Sequence, residues 1–299
     1  MPATLPSPRA AAAPIIYINN HEILPGPTAM KLCRFQPLEF AASDVARSQH
    51  DVHPEVRHGI VESGAVHEFL GELWGSRERT GRKWPLDSVK FLPPSAPSKI
   101  ICVGKNYADH AAEMGGVPPS SPIIFLKPPS SVIAPEDPIV LPPISQRVDY
   151  EGEIAIVVGR RCHLPDANED VNSYILGYTC LNDVTARDLQ KADGQWTRGK
   201  SFDTFCPFGP VLETELNLAH ARLETFVNGV RKQSAPASEM IFSVDVILRW
   251  IAQVMTLEPG DVIATGTPAG IGTLVDGDVV EVSVSGIGTL RNPVTISED

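Results

Sequence analysis

The amino-acid sequence predicts a mixed α/β fold in which β-strands dominate. Short apolar segments typical of strands recur from residue 99 onwards, namely KIICVG, PIIFLK, EIAIVVG, YILGYTCLND, ETFVNG and DVVEVSVSGIGTL. Helical periodicity is limited to NYADHAAEMG, a piece around TARDLQKA, and SVDVILRWIAQVM, where Val246, Trp250 and Val254 share one face. Because strands outnumber helices and do not alternate with them, a β-rich mixed fold is favoured over a doubly wound one.

Three parts of the chain differ in composition and pattern. Residues 1–29 are rich in alanine and proline without any periodicity, so we expect a disordered leader. Residues 30–98 are predicted to form a small N-terminal domain with a strand in MKLCRF, short strands in HGIVESGAV and a helix near VHEFLGELWG. The Pro/Ser segment LPPSAPS is the predicted boundary, and residues 99–299 form the larger second domain. Met30 is a candidate translation start beside Met1.

The composition excludes several classes of function. A net charge of −11 over 299 residues argues against a nucleic-acid partner, which would require a basic surface. The five cysteines are scattered and form no C-x-x-C pair, which indicates a reducing compartment and neither disulfides nor a thiolate zinc site. No apolar run is long enough for a membrane helix, and the N-terminus lacks the order of a signal peptide. We therefore expect a cytoplasmic protein without a membrane partner.

The segment VDYEGEIAIVVG places charges of one sign at the start of a strand bound for the core. Asp149, Glu151 and Glu153 are spaced by two residues and therefore share one face. A solvated strand edge is the ordinary interpretation of such spacing, but here the strand continues into a purely apolar run. Burying carboxylates side by side costs several kcal/mol unless a positive charge lies between them.

A third acid strengthens the case for a cation. Asp183 stands at the end of another predicted strand, in YTCLNDVTARD. Three carboxylates with no cysteine or metal-binding histidine nearby favour a hard cation, Mg²⁺ or Mn²⁺, over zinc. Glu151, Glu153 and Asp183 are therefore candidate ligands for such an ion.

Further candidates are a histidine–glutamate pair and three isolated polar residues. His110 and Glu113 are three residues apart on a predicted short helix, so the carboxylate can orient the imidazole as a general base, unless the pair is simply an exposed contact. Lys127 closes an apolar strand, where it can also be a strand-edge residue, and Lys200 lies in a Gly/Pro-rich setting. Thr267 lies in TGTPAGIG, which lacks the phosphate-loop patterns and is expected to face a small anion with its backbone amides.

Six blocks occur together in an order that resembles the fumarylacetoacetate hydrolase family: CVGKNYADHAAEMG, PIIFLKPPSSV, DYEGEIAIVVG, GYTCLNDVTARDLQ, QWTRGKSFDTFCPFGP and VMTLEPGDVIATGTPAGIG. They cover residues 99–296, and the earlier part is similar to the small N-terminal α+β domain of many bacterial members. The resemblance implies a mixed β-sandwich roll, a homodimer, and Mg²⁺ or Mn²⁺. It assigns the metal ligands as Glu151, Glu153 and Asp183, so that the ion is expected between Glu151 and Glu153, with Asp149 in the outer shell or at the surface. It assigns a catalytic dyad on a lid helix as His110 and Glu113. The residues that line the substrate site are Lys127, Gln190, Lys200 and Thr267, and Arg187 and Asp188 are supporting residues.

The resulting hypothesis is a hydrolase that cleaves a C–C bond in a β-diketo acid of the acylpyruvate or fumarylpyruvate type. His110, oriented by Glu113, would deprotonate a water that attacks the distal carbonyl, and Lys200 would help to stabilise the pyruvate enolate that leaves. Decarboxylation of oxaloacetate and isomerisation of a dienol, as for 2-hydroxyhepta-2,4-diene-1,7-dioate in aromatic-compound catabolism, need the same metal but no hydrolytic water. A non-catalytic module that binds a keto acid is the alternative outside enzymes.

Overall fold

The computed structural model describes residues 29–38 and 55–297, so the predicted leader lies outside the described residues except for Ala29. In the described residues, twenty strands and four α-helices confirm the predicted β-rich mixed fold.

The elements follow in chain order. The strands β1 to β20 cover Lys31–Pro37, Arg57–Glu62, Ala65–Leu70, Glu78–Pro85, Val89–Leu92, Ile100–Gly104, Ile123–Lys127, Val132–Ile133, Ile139–Leu141, Val148–Tyr150, Gly152–Val158, Ile175–Asn182, Thr185–Ala186, Cys206–Glu213, Arg222–Val227, Val230–Pro236, Val262–Ala264, Gly272–Thr273, Val279–Val284 and Gly288–Ile296. The helices α1 to α4 cover Ala108–Glu113, Arg187–Asp193, Thr197–Lys200 and Val244–Val254. Single 3-10 turns occur at Leu86–Ser88, Pro129–Ser131, Val171–Tyr174 and Ala237–Glu239.

One twelve-stranded sheet runs through both predicted parts of the chain. Its path is β4-β3-β2-β1-β14-β12-β11-β17-β6-β7, with β5 paired to β1 and β8 to β14. Strand β1 joins the two parts, because Lys31 and Leu32 pair with Glu213 and Leu212 of β14. The N-terminal strands therefore extend the large sheet at the edge opposite β7.

The centre of this sheet supplies the core. Every residue of β11 is buried between β12 and β17. Alternate residues serve opposite faces, with Ile154 and Ile156 in one apolar cluster and Ala155 and Val157 in another. Each fully buried large aliphatic side chain contributes roughly 1.5–3 kcal/mol to folding. A strand so firmly held is a rigid support for the acids at its start.

Two smaller sheets complete the fold around the beginning of β11. A five-stranded sheet has the order β16-β15-β19-β20-β9, and a three-stranded sheet has the order β13-β10-β18. Because β10 belongs to the three-stranded sheet and β11 to the large one, the chain passes between the two sheets at Glu151. The predicted acidic segment therefore lies at a junction of sheets.

Helix α4 confirms the predicted helical segment, and its contacts show which of its sides packs against the core. Ser243 caps its first turn, since the Ser243 hydroxyl accepts a hydrogen bond from the Val246 backbone amide. The predicted stripe does share one face, but that face is exposed to the outside. The core contacts come from another side of the helix, formed by Val244, Ile247, Leu248, Ile251 and Ala252.

The prediction of a helix near VHEFLGELWG is wrong, because Ala65–Leu70 forms strand β3 between β2 and β4. The cause lies just before the segment. Ser63 and Gly64 both adopt positive φ angles, 52° and 75°, and Glu62 pairs with Ala65 across them. Two such residues form the tight turn that matches the twist of an antiparallel hairpin. The turn and the strand pairing override the helical periodicity.

Two further expectations concern cysteines and membranes. All five cysteines, which were expected to form no disulfide framework, are free and buried. Within residues 29–38 and 55–297, none of the helices combines the length and hydropathy needed to cross a bilayer.

Candidate metal centre and active site

Antiparallel pairing brings the two acidic segments together. Gly152 of β11 faces Asn182 of β12, so Glu151 and Asp183 are adjacent at the end of this strand pair. The Asp183 backbone amide donates a 2.8 Å hydrogen bond to the Glu151 carbonyl oxygen. The Asn182 side chain strengthens the same junction, because its Oδ1 accepts a 2.9 Å bond from the Glu151 backbone amide.

The three predicted ligands converge in the interior. One carboxylate oxygen each from Glu151, Glu153 and Asp183 lies within 4.8 Å of the others, and all three residues are buried. Glu153 receives a 2.7 Å bond from the Gly266 amide but makes no ion pair with a described residue. Burial, followed by the charges of Asp183 and Glu151, raises the pKa of Glu153 well above its usual range. A cation bound between these carboxylates would offset the repulsion among their charges.

The donor set fits a hard divalent cation. All three donors are carboxylate oxygens, which suit Mg²⁺ and Mn²⁺, whereas a structural zinc site uses cysteine and histidine. Glu151, Glu153 and Asp183 are therefore the residues that would hold such an ion, and the remaining coordination positions would be open to substrate.

Two cationic side chains order Glu151. Lys200 Nζ lies 2.7 Å from Glu151 Oε2, and Arg187 Nη2 bonds to Glu151 Oε1. Burial alone would raise the pKa of Glu151, but the charges of Lys200 and Arg187 outweigh it and hold the pKa below its usual range. Arg187 also bonds to Asp149 Oδ2 at 2.9 Å. The expected supporting role of Arg187 thus takes the form of a bridge between two acids.

Asp149 is an outer partner of the site and does not lie at the surface. Its side chain is fully buried and accepts bonds from Arg187 and from Arg147, whose Nε is 2.8 Å from Asp149 Oδ1. Two guanidinium groups therefore neutralise this acid, which leaves Glu151 and Glu153 as the acids that face the ligand position.

Lys200 enters the site from a very short helix. Helix α3 packs so closely on α2 that a Cβ added at Gly199 would lie 2.9 Å from the Gln190 backbone nitrogen. Lys200 Nζ contacts Asp183 Oδ2 at 2.6 Å, in addition to Glu151, and lies 4.9 Å from the centre of the Phe125 ring. Burial lowers the pKa of this ammonium group, but the charges of Asp183 and Glu151 outweigh burial and raise it. Lys200 is therefore a permanently charged group at the cavity wall.

Lys127 lies on the other side of Asp183. Its ammonium group is buried and donates to Asp183 Oδ1 at 2.7 Å and to the Val184 carbonyl oxygen at 3.0 Å. Lys127 does not line the cavity. Its predicted contact with substrate stays a prediction, while the observed contacts orient a candidate metal ligand.

The predicted histidine–glutamate pair faces the acids from α1. His110 is buried, and its Nδ1 lies 3.1 Å from Glu113 Oε2. Since an ionised carboxylate only accepts hydrogen bonds, Nδ1 carries the proton and Nε2 is left as the acceptor. Glu113 Oε1 in turn accepts a 3.1 Å bond from the Gly270 amide. The pair is thus tethered to the loop that contains Thr267.

The TGTPAGIG segment donates its amides to protein carboxylates. The Gly266 amide bonds to Glu153 and the Gly270 amide to Glu113, which differs from the expectation that these amides face a small anion. Gly266 has a φ of 104°, and a Cβ there would lie 2.7 Å from Asn106 Cβ, so the approach requires glycine. Thr267 Oγ1 donates to the Gly152 carbonyl oxygen at 2.8 Å and accepts from Gln233 Nε2.

A single cavity of about 250 Å³ joins these groups. Seven of the nine predicted site residues line it, namely His110, Glu151, Glu153, Asp183, Gln190, Lys200 and Thr267. Gln190 is held by Arg187, whose Nη1 lies 2.6 Å from Gln190 Oε1. Glu113 and Lys127 stand behind the wall and hold His110 and Asp183.

Sequence reasoning missed the apolar wall of the cavity. Phe125 and Trp196 line it and pack edge to face, with ring centroids 5.1 Å apart. Gly104 makes room for the indole, since a Cβ there would lie 2.6 Å from the Trp196 ring. The glycine that ends the KIICVG strand was the only local sign of this packing. Lys105 and Lys191 were also missed, because neither belongs to a motif that predicts chemistry.

The fold and the site together define a β-rich protein in which a buried cluster of three carboxylates, a candidate site for a metal ion, lines the same cavity as the histidine of a histidine–glutamate pair. The chain belongs to the fumarylacetoacetate hydrolase family: residues 99–295 match the fumarylacetoacetate (FAA) hydrolase C-terminal model. Residues 45–94 match a second model, described as Rv2993c-like, N-terminal.

The relatives carry several names. Protein Rv2993c of Mycobacterium tuberculosis is 54% identical over 230 residues, 76% of this chain and 86% of its own. The mitochondrial oxaloacetate tautomerase Fahd2a of Rattus norvegicus is 42% identical over 222 residues, 70% of this chain and 71% of its own.

Two solved structures show the same fold. The 2-hydroxyhepta-2,4-diene-1,7-dioate isomerase from Mycobacterium marinum superposes with a TM-score of 0.79 at 43% identity, over 90% of this chain and 100% of that one. A maleylpyruvate hydrolase from Sphingobium sp. SYK-6, in complex with manganese(II) and pyruvate, gives a TM-score of 0.71 at 27% identity, again over 90% and 100%. The reactions named for these relatives differ, whereas the fold is shared.

Proposed function

We propose that this protein is a divalent-metal-dependent enzyme of 2-oxo acids, and that its first candidate reaction is C–C bond hydrolysis of a β-diketo acid of the acylpyruvate type. The observation that carries the proposal is that the three-carboxylate cluster and His110 line the same cavity. A general base and a Lewis-acid site that line one small cavity can form a reaction centre for carbonyl chemistry.

The carboxylates Glu151, Glu153 and Asp183 would hold Mg²⁺ or Mn²⁺. Bound there, the cation supplies a Lewis acid that binds the 2-oxo acid group and polarises its carbonyl. The relative that was solved with manganese(II) and pyruvate supports this ligand class. Lys200 has one N–H group without a partner among the described residues, because two of its three are used by Glu151 and Asp183. That group can stabilise negative charge on a substrate oxygen.

His110 is the proposed general base. Its Nε2 accepts a proton from a water molecule, and the imidazolium that forms is stabilised by Glu113. The activated water attacks the distal carbonyl carbon of the substrate, the C–C bond next to it breaks, and the bonding electrons pass to the 2-oxo acid fragment as an enolate. Protonation of that enolate yields pyruvate, while the acyl fragment leaves as a carboxylic acid.

Proton transfer without hydrolysis is the second candidate. Relatives named as an isomerase and as an oxaloacetate tautomerase share 43% and 42% identity with this chain, which favours it. The same His110 would then move a proton between carbon and oxygen of the substrate, and no water would be consumed. Decarboxylation of oxaloacetate remains the third reaction that this centre can support.

A product assay separates the candidates. Acetylpyruvate, fumarylpyruvate, and the enol and keto forms of oxaloacetate are each incubated with the protein after chelation and after Mg²⁺ or Mn²⁺ add-back. Metal-dependent release of pyruvate and an acid from an acylpyruvate is the expected result. Conversion confined to the oxaloacetate tautomers would make the enzyme a tautomerase, and release of CO₂ a decarboxylase.

Paired variants link the assay to the site. Glu153→Gln removes a ligand charge and is expected to abolish metal-dependent turnover, whereas Glu78→Gln changes an exposed acid of the N-terminal part and is expected to leave it intact. Binding of substrate without turnover by the metal-loaded protein would leave only the keto-acid-binding module. The homodimer that the family resemblance implies is also a proposal, and light scattering on the purified chain tests it.

A further inference from the structure

The cavity contains two kinds of cationic side chain. Lys200 and Arg187 are buried and committed to carboxylates of the metal site. Lys105 and Lys191 also line the cavity, but the side chain of neither forms a hydrogen bond or ion pair with any described residue. Lys105 is half-buried, and Lys191 is exposed. Within the part of the chain that the structure describes, their charges therefore have no partner.

The charge count of the lining shows an excess of positive charge. Four cationic side chains stand against the three carboxylates of the metal site. A divalent cation on those carboxylates would raise the excess to three positive charges. A substrate with one carboxylate would leave most of this excess unbalanced, whereas one with two carboxylates would offset two of the charges.

The backbone presents Lys105 in an unusual way. This residue follows β6 directly and adopts a left-handed conformation with φ of 58°. Glycine and asparagine adopt that conformation more readily than lysine does. Residues held in sparsely populated backbone conformations are concentrated at functional sites. The conformation sets the side chain between β6 and the end of α1.

The Lys105 ammonium group lies just beyond α1. Its Nζ is 3.2 Å from the position that a Cβ on Gly116 would occupy, so the glycine leaves room for it. Capping of the helix end is the ordinary explanation for a lysine at this place. However, the carbonyl groups of His110, Ala111 and Ala112 already accept hydrogen bonds from the backbone amides of Met114, Gly116 and Gly115, respectively. The Lys105 ammonium group makes no hydrogen bond within residues 29–38 and 55–297, so it is available to a group that enters the cavity.

We infer that Lys105 is a specificity-determining residue that binds a second, distal carboxylate of the substrate, with Lys191 contributing a weaker attraction at the mouth of the cavity. The enzyme is thereby selective for dianionic 2-oxo acids over monoanionic ones of the same length. This inference rests on the proposed function in one respect, namely that the cavity takes the 2-oxo acid end at the metal site. No turnover is required for it to hold.

Binding of two matched acids tests the inference. 2-Oxoglutarate and 2-oxopentanoate have the same five-carbon skeleton and differ in a distal carboxylate against a methyl group. Titration calorimetry with the full chain and Mg²⁺ or Mn²⁺ is expected to show the dianion binding about tenfold more tightly. Raising the ionic strength from about 0.05 to about 0.5 M is expected to reduce this preference, because salt screens a partly exposed charge pair.

Variants test whether Lys105 causes the preference for the dianion. Lys105→Met should weaken 2-oxoglutarate binding about tenfold while changing 2-oxopentanoate binding less than about twofold, and Lys105→Arg should retain most of the preference. Lys191→Met should have a smaller effect because Lys191 is exposed. Lys83→Met, an exposed lysine of the N-terminal part away from the cavity, is the matched control and should change neither constant.

The outcomes separate this inference from the proposed function. Metal-dependent binding of both acids with equal affinity, or an equal loss for both in Lys105→Met, would overturn the role of Lys105 and leave the proposed function standing. Failure of both acids to bind, or binding that does not depend on metal, would overturn both. A salt-sensitive preference in the unaltered chain supports the inference even where a variant does not fold.

Discussion

Lys127 Nζ donates a 2.7 Å hydrogen bond to Asp183 Oδ1 from outside the cavity wall. Both side chains are almost completely buried, so this pair has little access to water. Lys127, at the end of its strand, therefore supports a candidate metal ligand, and its contact with Oδ1 helps to fix the direction of Oδ2 of Asp183.

The first prediction concerns that pair. Lys127→Met should remove one of the two ammonium groups that compensate the buried Asp183 charge and leave only Lys200. Removing one partner of a buried ion pair costs about 3–5 kcal/mol, and the remaining contact with Lys200 should keep the loss at or below the lower end of that range. Metal affinity should fall as well, because Asp183 loses its orientation. Calorimetric metal titration and thermal unfolding measure both effects.

A matched control is available in the exposed pair Lys90–Asp137, whose nitrogen and oxygen are also 2.7 Å apart. Lys90→Met should cost less than about 1 kcal/mol, as surface ion pairs do. If Lys127→Met instead raised only the KM for substrate and left metal affinity unchanged, a direct substrate contact would be the better description of Lys127.

The second prediction concerns the general base. His110→Ala should reduce kcat at least ~10²-fold, the usual scale for a positioned base, while metal affinity stays the same. Glu113→Gln should give a smaller loss, because the imidazole remains but is less well oriented and its protonated form less stabilised. Steady-state kinetics on the active substrate of the panel, with circular dichroism as a folding control, provide the measurement. Near-normal turnover by His110→Ala would remove His110 from the mechanism.

The third prediction concerns stability and metal. Mg²⁺ or Mn²⁺ at 100 times its Kd should stabilise the protein by about 2.7 kcal/mol, the value for a ligand that binds only the folded state. Glu153→Gln should lose this gain, and without metal it should be more stable than the unaltered chain, because it removes a crowded buried carboxylate that has no ion-pair partner among the described residues. Denaturant unfolding with and without metal gives both quantities. A variant that is less stable without metal yet still gains from it would contradict the assignment of Glu153.

The fourth prediction tests the hairpin that replaces the expected helix. Gly64→Ala should destabilise the protein by about 1 kcal/mol, since its φ of 75° favours glycine although there is space for the methyl group. Gly75→Ala is the control, because that position lacks a positive φ and a Cβ there makes ordinary contacts of 3.6 Å or more. Catalytic constants should be unchanged in both, as no described N-terminal residue before Leu92 lines the cavity. Equal stability of the two variants would argue against the turn.

The sequence predicted those contacts of the site that join residues close to each other in the chain. The i, i+2 pattern of Glu151 and Glu153 already requires neighbouring carboxylates, and the i, i+3 pattern of His110 and Glu113 requires a contact on one helical turn. Both contacts are present. The order of the motifs connected these local pairs to one family, which residues 99–295 confirm.

The spacing of residues within one segment could not predict the contacts between separate helices and strands. Nothing near Lys127 indicates that its strand passes behind Asp183, and nothing near Asp149 shows that Arg147 and Arg187 bury it. The helical stripe of Val246, Trp250 and Val254 was visible, but its direction depends on where α4 packs on the sheet.

The sequence by itself determined which residues are neighbours within a strand or a helical turn, because backbone geometry repeats every two or 3.6 residues whatever surrounds it. Only the tertiary structure decided that β11 and β12 bring carboxylate oxygens of Glu151, Glu153 and Asp183 within 4.8 Å of one another, and that Lys105 lines the same cavity without an ion-pair partner among the described residues. The physical reason is that strand register and helix packing are set by burial of the whole core, to which every distant segment contributes.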